Sequence, residues 1–168
     1  YLCERMDIWA PHAYVEEHQL MTRNETVRQV GEAPAGERLT VLLDWSEKTS
    51  LEPNNSATGA SYEKMGLIVA VCTFKEGDGP GEVTTVTLGG MCEKPTNDVP
   101  HTHAFLRRLV EHFVAKARSA GNKLLFVSIW SDGGPAHFKC AEGFVYTSHL
   151  LRFFREAGRH THTHTHTH

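Results

Sequence analysis

The sequence predicts an α/β protein built on one mixed sheet with flanking helices. Three observations predict it. Four runs have strand length and strand composition: Leu39–Leu43, Met65–Phe74, Glu82–Leu88 and Leu124–Trp130. Short polar or glycine-rich connections join the first three, which predicts an antiparallel meander. A segment of helical period, His103–Ala120, separates the third run from the fourth, and a strand reached across a helix lies parallel to its sheet neighbour.

The totals bound the answer. A chain of 168 residues suits one domain with a real core. Hydrophobic residues at 40% and charged residues at 22% are ordinary for a soluble globular protein. The net charge of −3 argues against a protein built mainly to grip nucleic acid non-specifically, so any such contact must come from a local patch. Cys3, Cys72, Cys92 and Cys140 are far apart, with no C-x-x-C pair, so neither a disulfide framework nor a zinc knuckle is expected. A reducing, intracellular setting fits best. No apolar run approaches the roughly 20 residues of a membrane span. The chain opens at Tyr1 rather than Met, which is consistent with a fragment.

Residues 1–36 read as a helical N-terminal segment. Pro11 suits a helix start, and Tyr14, Val15, His18 and Met21 recur at helical spacing. Gly31–Gly36 is a turn or linker. Residues 37–159 form the core. Leu39–Leu43 is a short apolar strand ending at Asp44-Trp45-Ser46-Glu47. Residues 51–61 read as a loop. Met65–Phe74 is a buried strand, Glu76–Gly81 a turn, and Glu82–Leu88 a half-exposed strand with threonines alternating. Gly89-Gly90 and Lys94–Pro100 break the chain. In His103–Ala120, Phe105, Leu106, Leu109, Val110, Phe113, Val114 and Ala117 form one stripe, and Gly121 stops the helix. Leu124–Trp130 is the last core strand, followed by Ser131-Asp132-Gly133-Gly134-Pro135. Ala136–Glu156 reads as a final helix, weakened by Gly143. Arg152, Arg155 and Arg159 suit a solvated face or a phosphate contact. His160–His168 alternates histidine and threonine. It is expected to be a disordered tail outside the fold, either an affinity tag or a translated dinucleotide repeat.

Two strands therefore run into an acid: Asp44 after the first and Asp132 after the fourth. If those strands are parallel neighbours, roughly 4.8 Å apart, both carboxylates reach one divalent ion. The alternative for Asp132 is a helix cap. His101-Thr102-His103 is the one histidine spacing outside the tail with any ligand character, and a zinc- or nickel-binding protein built on it is the weakest alternative.

The blocks Asp44-Trp45-Ser46-Glu47 and Ser131-Asp132-Gly133 with Phe138-Lys139, on either side of the helix, resemble the ribonuclease H-like catalytic core of eukaryotic DDE/D-type transposases. The resemblance spans roughly Pro11 to Phe154. It implies an incomplete ribonuclease H-like mixed sheet and a phosphoryl transferase or nuclease that acts on DNA by two-metal chemistry. It also implies Mg2+ or Mn2+ held by Asp44 and Asp132, and nuclear location. Glu47 would be an outer-shell carboxylate or a surface residue; Lys139 would neutralise a nucleic-acid phosphate or lie solvated on a helix. Transposon ends and target DNA would be the partners, with oligomers possible.

Three departures qualify it. Such enzymes carry a third acid on a later helix beyond a fifth strand. Here Ser148-His149 runs into Leu150-Leu151, and the downstream acids Glu142 and Glu156 do not fit. His137 and Lys48 also stand where glutamine and asparagine are common. The expectation is a C-terminally truncated, inactive core. Alternatives are a transposon-derived domain that binds nucleic acid or protein without cutting, and a different ribonuclease H-like nuclease.

Overall fold

A computed structural model of the chain describes residues 2–50, 64–77, 79, 82–92, 99–131, 145–146, 148–150, 152 and 162–167. Helix α1 spans Leu2–Glu32. It runs through Pro11 rather than starting there, so the missing N–H of that residue falls within the helix. Arg28 ties the last turns together through hydrogen bonds to Glu25 and Glu32. The chain then turns at Gly36, whose φ of +71° favours glycine. A Cβ there would also meet the Ala117 Cβ at 3.0 Å. The Gly36 N–H donates to the Lys75 carbonyl at 2.9 Å, and the Lys75 ammonium donates to the Ala33 carbonyl at 3.1 Å. These bonds fasten the end of α1 to the sheet.

Strands β1 (Arg38–Ser50), β2 (Lys64–Lys75) and β3 (Val83–Cys92) form the expected antiparallel meander. Helix α2 (Val99–Ser119) crosses over, and β4 (Phe126–Ser131) lies parallel to β1. The four strands are ordered β3-β2-β1-β4.

The helices begin or end beyond the sequence reading: α2 starts at Val99 rather than His103, with Pro100 in its first turn, and α1 runs through Gly31 to Glu32. Three larger differences concern the strands. β1 does not end at Asp44. It continues to Ser50 because β2 is long enough to pair with it throughout, with a register shift between Ser46 and Thr49. β3 does not break at Gly89-Gly90. It runs on to Cys92, and Gly90 serves a close approach instead: a Cβ there would lie 2.7 Å from the Phe105 ring of α2. The third difference is the His-Thr stretch. His162–Thr167, expected to be disordered, is placed as β5, parallel to β4 on its outer side, with Phe126 opposite His162 and Ser131 opposite Thr167. Threonine favours extended backbone, and the outer edge of β4 offers unpaired backbone groups. Of the expected Ala136–Glu156 helix, residues 145–146, 148–150 and 152 are helical, and the others lie outside the described residues, as does the 51–61 loop.

One face of the sheet makes the core. Leu39, Val41 and Leu43 of β1, Ile68, Ala70, Cys72 and Phe74 of β2, and Val127 and Ile129 of β4 alternate onto it. The α2 stripe of Leu106, Leu109, Val110, Phe113, Val114 and Ala117 covers them, as the helical period requires. Each such side chain contributes roughly 1.5–3 kcal/mol when fully buried. Burial pushes the Cys72 thiol up to about 12, so this cysteine is an inert core residue. α2 ends as its sequence dictates. Gly121 adopts φ +77°, its N–H donates to the Arg118 carbonyl at 3.0 Å, and the Asn122 N–H reaches the Ala117 carbonyl at 2.9 Å.

Candidate active site

Asp44 lies on the sheet face opposite α2. Its neighbours along β1, Leu43 and Trp45, belong to the core side. Strand alternation therefore turns Asp44 the other way, where it is exposed. Its backbone is held on one side by β2, opposite Val69. On the other side the parallel pairing with β4 stops one residue earlier, at Leu43 opposite Ser131. Asp44 is thus the first β1 residue beyond the end of β4. Rigid pairing below it fixes the backbone, and the side chain is exposed.

Trp45 anchors this region. Its indole Nε1–H donates to the Thr102 hydroxyl at 3.0 Å. Thr102 is wholly buried in the first turn of α2. The bond ties the β1 residue after Asp44 to the start of the crossover helix. In the D-W-S-E block, the tryptophan is thereby a structural link and the aspartate is the exposed acid. Glu47 lies within the register shift of β1, between Ser46 and Thr49.

The other sequence-predicted residues are placed less far. Ser131 closes β4 as a buried residue, its hydroxyl without a hydrogen-bond partner among the described residues. Asp132 and Lys139 lie outside the described residues. Among the described residues no group of three or more His, Cys, Asp and Glu side chains is arranged to hold a metal ion. Asp44 supplies one carboxylate, the hard oxygen ligand type that magnesium takes.

The His-Thr-His spacing is resolved by the helix. His101 and His103 are two positions apart on α2, and such positions do not face each other. His101 lines a groove beside β3, and His103 lines a separate cleft of about 400 Å³ with Arg107, Tyr146 and His149. The sequence did not point to this second cluster. The His103 ring stacks on Tyr146 with centroids 5.0 Å apart, and Tyr146 meets His149 edge-on at 6.2 Å. Burial, with the neighbouring His149 as a smaller contribution, pulls the His103 imidazole down to about 4. His103 is therefore neutral at pH 7. No sequence periodicity links positions so far apart, so only the packing reveals the cluster.

No helix among the described residues is long and apolar enough to cross a membrane. No family model, curated protein or solved structure matches this chain.

Proposed function

We propose that this chain is a ribonuclease H-like core of the DDE/D transposase type, a phosphoryl transferase or nuclease fold directed at DNA. Asp44 and Asp132 would be its ligands for Mg2+ or Mn2+. One observation supports this most. β1 and β4 are adjacent and parallel, and their pairing ends at Leu43 opposite Ser131. The next residue in each chain segment is an aspartate. Adjacent parallel strands are about 4.8 Å apart, a spacing at which two carboxylates can share a divalent ion.

A bound divalent ion would supply an activated oxygen nucleophile and a stabilised leaving oxygen. Enzymes of this type use a third acid, and the downstream Glu142 and Glu156 do not match its place, so catalysis by the chain as written is expected to be weak or absent. The same mismatch leaves one second reading: a domain of the same fold that binds DNA or protein without cutting it.

Calorimetric titration with Mn2+, alongside a plasmid-nicking assay, tests the proposal. The wild-type chain is expected to bind the ion, and Asp44→Asn and Asp132→Asn are each expected to abolish that binding. Ion binding unchanged in both variants would remove the proposed site. Absence of ion binding together with DNA binding that weakens steeply with salt would favour the non-catalytic domain.

A further inference from the structure

A groove of about 540 Å³ lies between α2 and strand β3. It is on the α2 face of the sheet, away from Asp44. Ile68, Leu88, Phe105 and Leu109 give it an apolar floor. His101, Arg108 and His112 line it from the helix, at positions that share one helical face. No aspartate or glutamate is among its described lining residues. Arg108 is exposed and makes no ion pair among the described residues, whereas the adjacent Arg107 bonds Glu111 at 3.3 Å.

The other wall is the outer strand of the sheet. β3 pairs with β2 on one side and has no strand partner on the other among the described residues. Natural edge strands usually carry lysine, proline or a short length that blocks further pairing. β3 has ten residues, VTTVTLGGMC, with neither charge nor proline. Met91, at the groove, is 80% exposed. Gly89 and Gly90 bring bare backbone to the wall.

We propose that β3 and α2 form a docking groove for an extended acidic peptide. The peptide adds to the sheet beside β3, its backbone bonding to the free edge, and alternate apolar side chains enter the groove. Its carboxylates are drawn by Arg108. An acidic peptide fits better than a nucleic-acid strand because only a peptide backbone offers the alternating donors and acceptors that a strand edge requires.

Fluorescence anisotropy on the full chain tests this with three labelled probes: a peptide alternating valine and glutamate, its valine–lysine counterpart, and an oligothymidylate. The glutamate peptide is expected to bind saturably and the lysine peptide not to bind. Arg108→Gln is expected to weaken binding about fivefold or more, while the charge-matched control Arg107→Gln stays within about twofold. Amide hydrogen exchange in β3 is expected to slow on binding. Circular dichroism verifies that both variants fold. The proposal is overturned by no saturable binding up to about 1 mM peptide, by equal effects of the two arginine variants, or by protection outside β3. Displacement of the peptide by oligothymidylate would assign the groove to nucleic acid instead. A sedimenting dimer that the peptide does not dissociate would assign the edge to a second copy of the chain.

Discussion

The two faces of β1 differ by one residue and by nearly everything else. Leu43 is 1% exposed, packed beneath α2; Asp44, the next residue, is open to solvent on the far face. The same hydrogen-bonded strand carries both. The difference teaches a division of labour: the apolar face fixes the backbone, and the acid on the other face inherits that fixed position. A β-strand achieves this economically because successive side chains point to opposite sides.

Replacing one residue from each face is the sharpest test of this contrast. Leu43→Ala is expected to cost about 3 kcal/mol, the lost transfer energy plus a cavity. Asp44→Asn is expected to change stability by no more than about 0.5 kcal/mol, because an exposed residue without a described partner has little to lose. Urea unfolding of both variants reads the difference directly. Comparable losses at the two positions would mean that Asp44 is structurally integrated, and the division would fail.

A second test asks how tightly the apolar face is built at its β3 end. Gly90→Val places a side chain against the Phe105 ring and is expected to cost about 2 kcal/mol. Pairing it with Phe105→Leu, which makes room, is expected to recover part of the loss. A strictly additive double mutant, measured by thermal unfolding, would mean that the two positions do not press on each other.

The smallest expected effect concerns the cluster at the N-terminal half of α2. The His103 imidazole titrates near 4 in the folded chain, against about 6.5 when unfolded. Between these values the unfolded chain takes up a proton that the folded chain does not. Stability contributed by neutral His103 is therefore complete above pH 6.5 and is lost as the pH falls towards 4. With partial exposure, the loss is expected to be about 1–2 kcal/mol. His103→Gln is expected to flatten this part of the pH–stability curve. An unchanged acid limb in that variant would assign the loss to other groups.

Much of the architecture was legible in the residues. The α2 stripe, its glycine stop, the turn before Val83 and the parallel return of β4 all follow from local chemistry and short-range connectivity. Strand ends were less legible. Asp44-Trp45-Ser46-Glu47 looks like the close of a strand because its polarity rises, yet β2 keeps pairing with it. Gly89-Gly90 looks like a break because glycine disfavours strands, yet the Phe105 ring requires the missing side chain at Gly90. The His-Thr stretch has no core-forming pattern of its own, and its pairing depends on an edge offered by a strand far away in sequence. Of the candidate site, the sequence identified Asp44 and the neighbouring parallel strand. It did not show that Trp45 bonds Thr102, or that His101 and His103 serve different clefts.

By itself, then, the sequence determined the location of the main helices and of four strands, the apolar stripe of α2, and the order and sense of those four strands. Those depend on periodicity and on connections too short, or too helical, to allow many alternatives. Tertiary structure alone decided how far β1 and β3 extend, what the edge of β4 pairs with, and which side chains meet across α2. Those outcomes depend on contacts between residues distant in the chain, where the energy of pairing and packing outweighs the local preference of any single residue.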